Sequence, residues 1–103
     1  MLEKQRHTSS AVHQEQTFEQ RLDALLQRYP GPPKELRKKA AERYKSVAKP
    51  VPLDDFLARL GELDARIPLI TKNARQYPNE MQLTILEGLL KERLRLAQKL
   101  SDR

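Results

Sequence analysis

The sequence predicts an all-α protein, a small bundle of about four helices built on a long antiparallel helical hairpin over residues 53–101. Three observations support this fold class. Apolar residues recur at alternating steps of four and three on both arms of the hairpin, the two arms match in register, and proline-rich segments separate the predicted helices. The chain is organised around this hairpin.

Both arms of the hairpin carry an apolar stripe with a period of about 3.5, which is typical of a coiled-coil seam. The stripe of the first arm contains Phe56, Leu60, Leu63, Ile67, Ile70, Ala74 and Tyr77. The stripe of the second arm contains Leu83, Leu86, Leu90, Ala97 and Leu100, with Arg93 at one seam position. Because both helices rise equally per residue, a tight turn at Pro78 pairs Ile67 with Leu90 and Ala74 with Leu83.

Pro68 lies inside the first arm, and this register places Gly88 opposite it. Proline in a helix interior removes one hydrogen bond and costs about 3 kcal/mol. The apolar stripe keeps its phase through Pro68, so we expect one kinked helix. We also expect Gly88 to leave space for the bulge.

The first half of the chain is predicted to contain two shorter helices. Residues 1–16 are polar, and we expect a mobile segment that is at most partly helical. Thr17 and Gln20 form a capping box, which predicts the start of a firm helix. Residues 17–52 then hold this helix and a strongly basic one, and residues 53–103 form the hairpin. Prolines at 30–33 and 50–52 mark the two boundaries.

The net charge of +6 is concentrated in the second helix. Residues 34–52 contain seven basic and two acidic side chains, a surplus of five. We predict that the basic side chains bind nucleic-acid phosphates: Lys34, Arg37, Lys38, Lys39, Arg43, Lys45 and Lys49. An acidic protein surface is another possible partner, and an ordinary solvated helix face is the alternative without a partner.

Catalytic residue sets do not assemble in this sequence, and we predict a protein that is not an enzyme. It has no cysteine, four serines, and no glycine pattern of a phosphate-binding loop. The carboxylate pairs lie next to arginine or lysine, as surface ion pairs do. We therefore expect no cofactor, no metal site and no small-molecule substrate. With 33% charged residues and no long apolar run, the chain is expected to be cytoplasmic and not to bind membranes.

A second apolar strip lies beside the seam of the last helix, at Ile85, Leu89 and Leu96. This strip predicts a partner or dimer interface. The alternative to nucleic-acid binding is therefore a protein-interaction adaptor, such as a chaperone, assembly factor or inhibitor, that docks through the apolar surface of the last helix. If the first two helices fold back on the hairpin, the bundle is monomeric. If they project outward, a twofold homodimer is the simplest way to bury the strip. The concentrated charge favours a small regulatory or accessory protein that binds nucleic acid.

Overall fold

The computed structural model describes residues 17–102, which form four helices and no strand. The helices are α1 (Phe18–Arg28), α2 (Lys34–Ser46), α3 (Phe56–Gln76) and α4 (Glu80–Ser101). The long helices α3 and α4 pack against each other. The predicted all-α bundle on a helical hairpin is therefore confirmed. The predicted mobile segment of residues 1–16 lies outside the described residues.

The two arms of the hairpin meet in the register that their apolar stripes predict. Near the turn, Asn73 Nδ2 donates a hydrogen bond to Gln82 Oε1 at 3.1 Å. At the open end, the Lys99 ammonium lies 4.7 Å from the centre of the Phe56 ring. The buried hydrophobic cluster of the hairpin contains Leu60, Leu63, Ile67, Ala74, Leu83, Leu86, Leu90 and Leu96. Their removal from water is the main hydrophobic stabilisation of the fold.

Polar side chains begin three of the four helices. The Gln20 N–H donates to Thr17 Oγ1 and the Thr17 N–H donates to Gln20 Oε1, both at 3.0 Å, so the predicted capping box is present. Asp55 Oδ1 accepts a hydrogen bond from the Ala58 N–H at 3.0 Å, and Asn79 caps α4 in the same way. Each cap satisfies an N–H that has no partner within its helix.

The helices α1 and α2 cover different parts of the hairpin. α1 lies beside the turn half, where Arg21 Nη2 donates to Glu80 Oε1 at 2.8 Å and Arg75 Nη2 donates to Asp23 Oδ1 at 3.0 Å. α2 packs on the first half of α3. The turn at 30–33 joins them, and its Pro32 is buried.

Gly61 permits a close approach of α2 to α3. A Cβ atom at Gly61 would overlap the carbonyl oxygen of Ala40 and would lie 2.7 Å from the Cβ of Tyr44. Ala40 is itself fully buried. Glycine is thus required at this crossing, because any side chain would push the two helices apart.

α3 continues through Pro68 as one helix, as predicted. The predicted role of Gly88 is wrong, because a Cβ atom there would meet no other described atom within 4 Å. Both Pro68 and Gly88 are exposed. The physical reason is rotation about the helix axis: Pro68 follows the buried Ile67 by one residue and therefore points about 100° away from the seam.

We expect Gly61→Ala to lower the free energy of unfolding by about 1–3 kcal/mol, because overpacking against α2 outweighs the gain in helix propensity. Gly88→Ala is the matched control, since it adds the same methyl group in open space. It should raise the free energy of unfolding by about 0.5–1 kcal/mol. Urea unfolding followed by circular dichroism measures both. Equal effects of the two substitutions would contradict the close approach at Gly61.

We expect Leu86→Ala to destabilise the protein by about 2–5 kcal/mol, because Leu86 is 0% exposed and its truncation leaves a cavity in the seam. Ile70→Ala should cost less, since Ile70 is only partly buried. Leu69→Ala is the control on the same helix, and its side chain is 68% exposed. Thermal unfolding of the three variants tests the order, and a loss at Leu69 as large as that at Leu86 would mean that the core is misplaced.

Candidate functional site

The outer face of α2 carries a short row of lysines. The helix turns the buried Ala40 and the partly buried Leu36 and Tyr44 towards the hairpin. At 100° per residue, the exposed residues Lys34, Lys38 and Lys45 fall within an arc of about 40° on the far side. We call these three residues the lysine stripe. None of them forms an ion pair with another residue in the range 17–102.

Two of the predicted phosphate ligands, Arg37 and Arg43, form ion pairs with other residues of the protein. Arg43 Nε donates to Asp55 Oδ2 at 2.8 Å, and Arg37 Nε lies 3.3 Å from Asp64 Oδ2. The pKa of Asp55 lies below its usual value, mainly because its carboxylate accepts the hydrogen bond from Arg43 and also because it accepts one from the Ala58 N–H. These two arginines therefore attach α2 to α3, and only part of each side chain stays exposed.

The remaining two predicted cations differ from the lysine stripe. The ammonium of Lys49 lies 4.2 Å from the centre of the Tyr44 ring, in a cation–π contact. Lys39 is exposed, but Glu35 and Glu42 lie between it and the lysine stripe around the helix. The seven predicted residues thus lie on one helix but do not form one continuous cationic surface.

A buried ion pair that the sequence patterns do not predict lies where the four helices meet. Arg93 is only 8% exposed, and its Nη1 donates to Asp64 Oδ1 at 3.0 Å. Arg93 Nη2 also donates to the carbonyl oxygen of Tyr29 at 3.4 Å. Arg37 approaches the other oxygen of Asp64, so α2 joins the same cluster. The sequence does contain a signal for this pair, because the hairpin register places Arg93 opposite Asp64.

A cavity of about 400 Å³ opens between α2 and α3 beside this ion pair. We call it the α2–α3 cavity. Its lining consists of Arg37, Ala41, Tyr44, Lys45, Gly61, Asp64, Ala65, Pro68 and Arg93. The walls are mostly apolar, and charged groups are contributed by three cations and one carboxylate. Residues from distant parts of the sequence form this cavity, and local patterns therefore do not predict it.

The predicted apolar strip of α4 is only partly exposed. Leu96 is 9% exposed and belongs to the core, and Leu89 packs against that core. Ile85 is 48% exposed. Leu96 therefore offers little side chain to a partner, and a partner or dimer interface at this strip stays a prediction.

No family model, curated protein or solved structure matches this chain. Among residues 17–102, no helix combines the length and the apolar character that crossing a membrane requires.

We expect Asp64→Asn to destabilise the protein by about 3–5 kcal/mol, because it leaves Arg93 buried without a counter-charge. The double variant Asp64→Leu, Arg93→Met should recover most of this loss, since it removes both charges and keeps the volume apolar. Glu80→Gln breaks the exposed pair with Arg21 and should leave the free energy of unfolding almost unchanged, because water and salt screen exposed charges. Chemical unfolding measures all three, and a single variant at Asp64 as mild as Glu80→Gln would refute the buried pair.

Proposed function

We propose that this protein is a non-enzymatic, regulatory or accessory protein that binds the phosphate backbone of nucleic acid through the lysine stripe of α2. The observation that carries the proposal is the position of Lys34, Lys38 and Lys45, which are exposed on one arc of a helix. Each lysine that contacts a phosphate releases counterions, which favours association without any reading of base sequence. A lysine ammonium is a compact charge with three donors and suits such contacts.

The ion pairs of α2 support this division between binding and structural cations. Arg37 and Arg43 engage Asp64 and Asp55, and these contacts hold the helix against α3. Because α2 packs on α3 through its other side, the lysine stripe faces solvent. Because the helix is already folded, binding needs no ordering of its backbone, and only the lysine side chains lose conformational freedom.

Three further carboxylates of the described helices favour a binding protein over an acid–base catalyst. Glu62 and Glu92 both contact Arg59, while Asp23 contacts Arg75. General acid–base catalysis needs a carboxyl group that is directed at a substrate. These three carboxylates are instead paired with arginine side chains of the protein itself. The adaptor hypothesis has less support, because the burial of Leu96 reduces the apolar strip on which it depends.

We expect the triple variant Lys34→Gln, Lys38→Gln, Lys45→Gln to bind DNA or RNA more weakly than the natural protein. The slope of log affinity against log salt concentration should fall by up to about three units, roughly 0.9 for each phosphate that no longer meets a lysine. Fluorescence anisotropy over a series of salt concentrations measures this slope.

The matched control for this experiment is Lys72→Gln, Lys91→Gln, Lys99→Gln, which removes the same charge from exposed lysines of α3 and α4. It should leave most of the slope intact. Equal losses in the two variants would mean that net charge alone drives binding. An unchanged slope in the stripe variant would move the interface away from α2.

A further inference from the structure

We propose that the α2–α3 cavity binds a nucleobase of a single-stranded nucleic acid whose phosphates contact the lysine stripe. This inference rests on the proposed function and specifies its ligand. It assigns the cavity and the stripe to one continuous binding surface, in which the backbone of the strand follows α2 and one base turns inward.

The cavity and the lysine stripe share one side of α2. Ala41 and Lys45 both line the cavity. Lys38 precedes Ala41 by three residues and Lys45 follows it by four, so these side chains lie above one another on adjacent turns. The cavity therefore opens beside the lysine stripe at Lys45, and Lys38 lies one turn before Ala41 on the same side of the helix. A strand that follows the stripe passes the mouth of the cavity at Lys45.

The lining of the cavity suits a flat aromatic ring. Ala41, Gly61, Ala65 and Pro68 provide apolar walls, and the half-buried Tyr44 also lines the cavity, while the Lys49 ammonium covers one face of its ring. The volume of about 400 Å³ lies within the range of about 300–1,000 Å³ that small ligands occupy in proteins. Bases of single strands stack on aromatic rings and on arginine in a way that tolerates any sequence.

Arg37 is placed to support such a ring at the cavity. Its side chain is 53% exposed, and its Nε lies 3.3 Å from the largely buried Asp64 carboxylate. This ion pair and the packing of Nη2 beside Gly31 restrain the planar guanidinium, about half of which still faces solvent. An arginine that is held in place can stack on a base or donate to its edge at a small entropic cost.

The charges around the cavity favour a base over a small free anion. Asp64 pairs with both Arg93 and Arg37, and this pairing reduces the positive potential that a free anion would meet inside. Lys45 is the third cation of the lining, and it belongs to the outward stripe. A duplex cannot use the cavity, because its bases stay paired and stacked unless several kcal/mol are supplied to extrude one. We therefore expect single strands to bind more tightly than duplexes.

The test uses Ala65→Trp, which fills the cavity from an exposed position of α3 and changes no charge. We expect it to weaken binding of a labelled single-stranded oligonucleotide by roughly tenfold, the contribution of one stacked base. Binding of the same sequence as a duplex should change by less than about twofold, because phosphate contacts persist. Ala24→Trp is the matched control, at an exposed alanine of α1, and it should leave both affinities unchanged.

A second measurement uses the unaltered protein, so that it does not depend on the folding of a variant. A strand in which abasic sites replace the bases should bind roughly tenfold more weakly than the normal strand. Equal affinity for the two strands, or no effect of Ala65→Trp on single-strand binding, would overturn the base-binding cavity. Salt-dependent binding that the stripe variant abolishes would then still support the phosphate interface. Absence of binding to any strand or duplex would overturn both proposals.

Discussion

The buried ion pair between Arg93 and Asp64 is the one polar constraint that all four of the described helices share, because a charge buried in the hairpin must keep its partners. A charge that is removed from water must be paired, and Arg93 meets this requirement with a carboxylate of α3 and a carbonyl at the end of α1. Arg37 adds α2 to the same cluster. The place where α1 ends and α2 begins is thus fixed by electrostatics as well as by the proline-rich turn.

The arginines and lysines of α2 have different structural roles, and this difference underlies the proposed interface. Arg37 and Arg43 use forked guanidinium groups to reach carboxylates on α3. Gly61 brings the same two helices close together. This packing places the lysine stripe on the solvent side of α2. The proposed binding surface is therefore a consequence of how the helix packs.

Periodicity along the sequence is sufficient to predict the hairpin, because Ile67, Leu90 and their neighbours report both the helical phase and the pairing of the arms. The basic helix can also be predicted from the sequence, because its cations lie close together along the chain. Periodicity does not report which cations pair with which carboxylates across the bundle, and the charge pattern therefore places Arg43 among the phosphate ligands although it contacts Asp55. The phase of the stripe does place Pro68 one residue beyond the seam residue Ile67, so a matching register is not sufficient evidence that Pro68 and Gly88 face each other. Periodicity does not report the cavity that forms where α2 crosses α3.

Pro68 divides α3 into two parts with different neighbours. It has no N–H, so the carbonyl oxygen of Asp64 lacks its usual partner one turn later. α2 packs on the residues before this break, whereas α1 contacts Arg75 after it. Pro68 therefore marks the point on α3 at which the covering helix changes from α2 to α1. Asp64 lies one turn before this point, and its ion pairs with Arg37 and Arg93 connect the part of α3 under α2 to α4.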